Sequence, residues 1–112
     1  DIFALQREHV ENTAAVYDRA ALIALPAELR AAYVEHLSAI LPAHVEWLII
    51  TLEYPPHDLT GPPFAVYEDE LRQLFAGHRR IRRLKSRDIL DEEPRLRGRG
   101  ATALSEHIFK LD

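Results

Sequence analysis

The sequence predicts an α/β fold in which short apolar strands alternate with helices and two further strands close the chain. Residues 13–17 and 45–54 are apolar runs of the length typical of buried strands, and a helical pattern follows each one. Residues 80–84 and 107–111 supply the closing strands, joined by a long polar connection. Strands that alternate with helices are typical of a parallel sheet, so we expect the first two strands to be parallel.

The first predicted unit is a strand at residues 13–17 followed by a helix. The alanines in this strand lower its β propensity. A helix begins at Pro26, because the missing N–H of proline costs no hydrogen bond in a first helical turn, and Pro42 ends it. The apolar residues of this helix recur at spacings of three and four and therefore share one face: Leu29, Tyr33, Leu37, Ile40 and Leu41.

The second predicted unit contains the strongest strand of the sequence, residues 45–54. Its apolar run is continuous rather than alternating, which indicates a strand covered on both faces. The proline-rich residues 55–63 that follow exclude regular structure. We expect a helix over residues 67–75, with acidic residues at its positive N-terminal end and Gly77 as its C-terminal cap.

Composition excludes several classes of protein. The sequence has no Cys, which removes disulfides, thiolate catalysis and cysteine-based metal sites, and its six His residues show no ligand spacing. A formal net charge of −4 argues against general binding to nucleic acids or anionic membranes. No apolar segment reaches the roughly 18–20 residues that cross a bilayer, and no signal-peptide pattern is present. We therefore expect a soluble cytoplasmic protein without a metal site.

Two motifs directly follow the two apolar strands. Residues 17–22 are YDRAAL, and residues 53–64 are EYPPHDLTGPPF. In open α/β sheets, ligands bind outside the carboxyl ends of the strands, so both motifs fall where a site is expected. Together, and in this order, they resemble the C-terminal half of the thiopurine S-methyltransferase family, within the S-adenosylmethionine-dependent enzymes. The resemblance extends over residues 1–111.

The resemblance implies that residues 1–112 form the C-terminal half of one Rossmann-like S-adenosylmethionine-dependent methyltransferase domain. Its strands are then parallel, with a terminal antiparallel strand pair. In that fold the N-terminal half supplies the Gly-rich turn and the acidic residue that hold the cofactor. No Gly-rich turn follows the first two strands here, and the chain has no Met. We therefore expect a piece of a longer protein, inactive alone and with weak cofactor affinity at best.

Arg19 is the candidate catalytic residue. Methyl transfer from a sulfonium requires an acceptor aligned with the methyl group in a site that excludes water. A thiol acceptor reacts as its thiolate, which a fixed cation such as Arg19 favours. In the resembled family the Arg of the Asp-Arg-(Gly/Ala)-Ala-Leu motif lies in the active site, which implies catalytic, cofactor-binding and substrate-binding roles for Arg19. The alternative is that Asp18 and Arg19 form the solvent-facing start of a helix.

The resemblance also implies cofactor contacts for Asp1, Ile2 and Phe3, which match the family segment around the adenine. A carboxylate can accept a hydrogen bond from the adenine amino group while apolar side chains cover the face of the ring. The alternative is that these residues form a frayed terminus in this chain.

Gly61, Pro62, Pro63 and Phe64 match a substrate-binding signature of the family. The prolines restrict the loop before a ligand binds, Gly61 permits a tight turn, and Phe64 offers an aromatic wall to a flat substrate. Adjacent prolines are common in loops, so the match depends on its place after EYPP and before a helix. In the same loop, we expect His57 to stabilise the turn rather than to bind substrate.

A second substrate-binding arginine is expected in the polar connection. Glu92-Glu93-Pro94-Arg95 resembles the Glu-Glu-Arg region of the family, which brings an Arg towards the substrate. The match is offset by one residue at the proline, so Arg95 is the assigned residue, and Arg97 and Arg99 are its alternatives. A solvated basic loop is a further interpretation.

The resemblance implies methyl transfer to a small-molecule thiol, a thiopurine, or a selenium or tellurium compound, without selecting among them. The alternative is a non-catalytic half-domain that associates with another chain, or with itself, through an exposed sheet edge. Residues 78–87 contain six Lys or Arg. They lack the interleaved aromatic residues of a single-strand binder, and acidic residues follow. We therefore expect a solvated edge strand there, and neither nucleic-acid nor membrane partners.

Overall fold

Four strands form one sheet in the computed structural model of the chain, which describes residues 2–76 and 80–112. In chain order they are β1 (Ala15–Asp18), β2 (Glu46–Glu53), β3 (Ile81–Asp88) and β4 (Ser105–Leu111). The order across the sheet is β1-β2-β4-β3, with β1 parallel to β2 and the other two pairs antiparallel. This arrangement confirms the predicted α/β class with a terminal antiparallel strand pair.

The helices differ greatly in length. They are α1 (Arg7–Val10), α2 (Ala21–Ala24), α3 (Ala27–Ile40), α4 (Glu68–Leu74) and α5 (Pro94–Gly98), with 3-10 turns at Ile2–Ala4 and Leu90–Glu92. The sequence predicts α3 and α4 and misses the others, because four or five residues carry no periodic pattern. No described helix is long and apolar enough to cross a lipid bilayer.

The ends of α3 lie where the prolines predict them. Pro26 precedes the first helical residue in an extended conformation. At the other end, Leu41 N donates to the Leu37 carbonyl at 2.9 Å, and Pro42 then stops the helix. α4 begins with the predicted acidic turn. Its expected C-terminal cap, Gly77, lies outside the described residues.

β2 is covered on both faces, as its continuous apolar run predicts. On one face, buried side chains of β2 and β4 pack beneath α3 and α4. The rings of Trp47 and Phe75 meet there edge to face, with centroids 5.1 Å apart. On the other face, Leu52 and Tyr54 pack against Ile89 and the connection that contains α5. Because β2 is held from both sides, its carboxyl end is a fixed point for the loop that follows.

β3 is longer than the strand predicted over residues 80–84, because it continues through charged residues to Asp88. Its side chains are largely exposed, as is typical of an edge strand that resists aggregation. Acidic residues of the neighbouring strand compensate part of its charge, as where Arg87 lies 3.5 Å from Glu106. These features support the predicted solvated edge, while the expected absence of nucleic-acid binding stays a prediction.

His107 joins three strands near the carboxyl end of β2. Ser86 Oγ on β3 lies 2.7 Å from its Nδ1, and Glu53 Oε2 on β2 lies 3.0 Å from its Nε2. The ring itself is buried in β4. Because both ring nitrogens have partners, this network holds β4 between its two neighbours.

β1 is the open edge of the sheet. Among the described strands it pairs with β2 alone, so the backbone groups on its outer side lack a strand partner. Tyr17 projects from this strand with 58% of its surface exposed.

Thr51 lies fully buried in β2 opposite His107, and its Oγ1 has no hydrogen-bond partner in the described part of the chain. Thr51→Val keeps the shape and removes the unsatisfied hydroxyl, so we expect the free energy of unfolding to rise by about 1 kcal/mol. Urea unfolding followed by circular dichroism measures the change. Thr51→Ser is the matched control, since it keeps the hydroxyl, loses a methyl group and is expected to cost about 1 kcal/mol. A Val variant no more stable than the parent contradicts the prediction.

Candidate active site

The two motifs meet at the carboxyl ends of β1 and β2. The strands are parallel, with Ala15 opposite Glu46, so their carboxyl ends point the same way. The segments that follow them are in direct contact, because Phe64 N donates to the Ile23 carbonyl at 2.7 Å. The structure thus brings YDRAAL and GPPF together, where the sequence predicts a site.

Asp18 is a buried residue of this site. The interpretation of Asp18 as the solvent-facing start of a helix is therefore wrong. The residue is 3% exposed, and its carboxylate accepts hydrogen bonds from Tyr33 Oη at 2.7 Å and Leu22 N at 3.2 Å. Burial, together with the adjacent Asp18 carboxylate, raises the pKa of Tyr33 well above its usual range, so the phenol remains a donor. Asp18 therefore fixes the turn from β1 into α2 against α3.

Arg19 extends from the same turn into solvent. Its guanidinium makes no hydrogen bond or ion pair with any residue that the structure describes. A cation without a partner among the described residues, at the carboxyl end of β1, can donate to an anionic group of a ligand. The catalytic, cofactor-binding and substrate-binding roles of Arg19 stay predictions.

Gly61 and Phe64 determine the shape of the loop after β2. Gly61 has a φ of +76°, and a Cβ added to it would lie 2.4 Å from the Phe64 ring. Glycine is therefore required both by the backbone conformation and by the ring packed on it. Tyr54 Oη donates to the Pro63 carbonyl at 2.9 Å, and Tyr67 Oη donates to the Tyr54 carbonyl. These two tyrosines tie the loop to the end of β2 and the start of α4.

A cavity of about 210 Å³ lies beside Phe64. Tyr54 and Tyr67 contribute further aromatic walls, and Arg30 contributes a charged group. Burial, and to a lesser degree the nearby carboxylates, raises the pKa of Tyr67, which keeps its hydroxyl protonated. Flat apolar walls with a few polar groups are typical of a small-molecule site. Sequence reasoning missed Arg30, although its spacing from Tyr33 places it on the apolar face of α3 and thereby signals a buried charge.

Asp58 ties the loop to the segment before β4. Its Oδ2 accepts hydrogen bonds from Thr102 N and Thr102 Oγ1, both at 2.7 Å. These two bonds lower the pKa of Asp58. The neighbouring His57, which we expected to stabilise the turn, has no hydrogen-bond partner among the residues described. Asp58 therefore takes the stabilising role.

The three arginines of the connection occupy different surroundings. Arg95 is exposed, without a hydrogen-bond or ion-pair partner within the described ranges. Arg97 Nη1 pairs with Asp91 Oδ1 at 2.9 Å. Arg99 Nη1 donates to the Pro62 carbonyl at 3.3 Å. The structure thus brings the alternative, Arg99, to the loop after β2, while the substrate role assigned to Arg95 stays a prediction.

The N-terminal segment, which the family resemblance assigns to the adenine, lies beside the second half of α3. Ile2 and Phe3 belong to the 3-10 turn before α1, and the Phe3 ring centroid lies 5.8 Å from that of His36. The loop after β2 instead meets α3 in its first turn. Along α3, this segment therefore lies away from the loop after β2. Asp1 lies outside the described residues, and the cofactor role of all three stays a prediction.

The contact between Asp18 and Tyr33 predicts an alkaline instability. Because the pKa of Tyr33 is raised in the folded chain, the unfolded chain loses this proton first, and stability falls once the pH exceeds about 10. Tyr33→Phe removes this contribution, which is at most about 1.4 kcal/mol per pH unit. Urea unfolding between about pH 8 and 11 gives the slope of the unfolding free energy against pH for the parent chain and for Tyr33→Phe. Tyr17→Phe, at an exposed position, is the control; an unchanged slope in Tyr33→Phe contradicts the prediction.

Comparison with known proteins identifies the family of this chain. The family model described as Thiopurine S-methyltransferase matches residues 1–112. A thiopurine S-methyltransferase of Xanthomonas euvesicatoria pv. vesicatoria is 48% identical over 111 residues, 99% of this chain and 51% of the relative. That of Nitrosospira multiformis is 46% identical over 111 residues (99% and 50%), and that of Pseudomonas aeruginosa strain UCBPP-PA14 is 45% identical over 112 residues (100% and 51%). The chain thus spans about half the length of these curated relatives, and it belongs to the thiopurine S-methyltransferase family.

Proposed function

We propose that this chain is the C-terminal part of one methyltransferase domain. The parent protein transfers a methyl group from S-adenosylmethionine to a thiol or a related soft nucleophile in the cytoplasm. The observation that carries the proposal is the hydrogen bond of 2.7 Å between Phe64 N and the Ile23 carbonyl. It holds the exposed Arg19 and the aromatic Phe64 at the carboxyl ends of adjacent parallel strands. A cation and an aromatic wall at the same end of the sheet suit a flat anionic acceptor.

Arg19 supplies the charge that a thiol acceptor requires. The nucleophile is the thiolate, and a guanidinium nearby favours this ionised form while remaining charged itself. The Phe64 ring and the cavity beside it orient a flat acceptor and exclude water from one of its faces. The bound cofactor supplies the methyl group on a sulfonium. The name that the similar proteins carry supports thiopurines as acceptors, and selenium and tellurium compounds are related soft nucleophiles.

The residues of this chain can contact only part of a bound S-adenosylmethionine molecule. Arg19 can pair with its carboxylate, and Asp1, Ile2 and Phe3 are proposed for the adenine. The one G-x-G sequence, at residues 98–100, closes α5 and opens no helix, so it does not form a cofactor-binding turn. Since the chain spans about half the length of its relatives, we assign the main cofactor anchor to the other half of the domain. Within the described ranges, no cluster of three or more His, Asp or Glu suits a metal ion.

Binding of S-adenosylhomocysteine tests the assignment of the cofactor anchor. Calorimetry is performed on this chain and on a version extended upstream through its coding sequence. We expect binding by the extended chain only, and no methyl transfer by the 112 residues alone. Turnover by the isolated chain, or failure of both chains to bind, contradicts the proposal.

Substitutions of Arg19 test its catalytic role in the extended chain. Arg19→Ala is expected to lower kcat/KM for an aromatic thiol by about 10²- to 10³-fold, because an aligned charge at the reacting group is lost. Arg19→Lys keeps the charge and is expected to lose less. Arg72→Ala is the matched control, since Arg72 is a half-exposed arginine of α4 that pairs with Glu68. Full activity of Arg19→Ala rules out this role.

The open edge of the sheet favours a second candidate function, association with another chain or with a second copy. β1 lacks an outer strand within the described sheet, and Tyr17 on β1 is 58% exposed. Exposed edges and apolar side chains promote association. Sedimentation of the chain at increasing concentration tests this candidate. A mass that grows with concentration supports it, and a monomer throughout excludes it.

A further inference from the structure

Arg30 is a buried charged residue in the first turn of α3. It is 4% exposed, and charged side chains are almost never buried to this degree unless they are paired. Nε donates to the Leu25 carbonyl at 3.0 Å, and Nη1 donates to both carboxylate oxygens of Glu70 at 2.9 and 2.7 Å. The guanidinium therefore joins α3 to α4 and to the residue that follows α2.

The same guanidinium also holds the aromatic residue of the substrate loop. Arg30 Cζ lies 5.6 Å from the centroid of the Phe64 ring, within the range of a cation–π contact. The ring packs closely on Gly61, where a Cβ would lie 2.4 Å away, and Phe64 N is bonded to the Ile23 carbonyl. Three contacts, to a cation, a glycine and a main-chain carbonyl, thus fix the place of this side chain.

The geometry points to Arg30 as the positioning residue for Phe64, and through it as a determinant of preference for aromatic over aliphatic acceptors. This inference rests on the proposed function. Phe64, Tyr54 and Tyr67 wall the cavity of about 210 Å³. A wall that is already fixed binds a flat ring without an added cost of ordering its own side chain. An aliphatic acceptor makes little use of such a wall, so its binding depends less on Arg30.

Kinetics of the extended chain test the preference. Arg30→Met keeps the length of the side chain and removes the cation, so KM for thiophenol is expected to rise about tenfold, the factor of a desolvated cation–π contact. The KM for 2-mercaptoethanol is expected to rise much less, so the ratio of the two KM values is the readout. Phe64→Ala should give the same shift, and the double variant no further shift, because both changes remove one contact.

Two controls separate positioning from general destabilisation. Leu37→Ala removes a buried side chain of α3 that does not line the cavity, and it should leave the ratio of the two KM values unchanged. Glu70→Gln weakens the partner of Arg30 without changing shape, and it should move the ratio in the same direction as Arg30→Met. Equal shifts for both acceptors, or additive effects of Arg30→Met and Phe64→Ala, overturn the inference.

Hydrogen exchange on the chain of 112 residues supplies a readout that does not depend on catalysis. Arg30→Met should speed exchange of the Phe64 amide, which donates to the Ile23 carbonyl, more than that of the Val66 amide, which donates to Leu52. If the extended parent shows no methyl transfer but the Phe64 amide responds, the proposed function fails and the positioning role stands. Equal acceleration of both amides overturns the positioning role itself.

Discussion

The parallel register between β1 and β2 is the constraint on which the candidate site depends. Asp18 stands opposite Ile49, and β2 continues beyond that point to Glu53. α2 therefore lies beside the last part of β2, where the Ile23 carbonyl can receive the Phe64 amide. A slip of one residue would reverse the faces of the strand, turn Asp18 away from α3 and separate the two motifs. The hydrogen bonds of Asp18 with Tyr33 and Leu22 oppose such a slip.

Among the described residues, three of the buried charged or polar side chains around this register are paired, while Thr51 is not. Such pairs add little net stability compared with apolar residues of the same size, because removing charges from water offsets most of their attraction. We infer that their main effect here is geometric, since each one connects two or three elements that end near the site. The pairs are Asp18 with Tyr33, Arg30 with Glu70, and His107 with Ser86 and Glu53.

Elements with strong local patterns are predictable from this sequence, and features that depend on tertiary contacts are not. The apolar runs of β2 and α3 determine their type, and the flanking prolines give the ends of α3. The length of β3 is underestimated from the sequence, because its second half is charged and is a strand only through its pairing with β4. The strand ends alone indicate where the site lies. The contacts of Arg30 and Tyr67 cannot be predicted from the sequence, because they depend on how α3 and α4 pack on the sheet.

The order of the strands across the sheet differs from their order along the chain. β4 lies between β2 and β3, although both precede it in sequence. During translation β3 therefore leaves the ribosome before the only described strand that pairs with it, and the nascent sheet stays incomplete until β4 emerges. The exposed charges of β3 disfavour its pairing with other nascent chains before β4 is available. The basic edge of the sheet is therefore suited to limiting aggregation while the chain is being made.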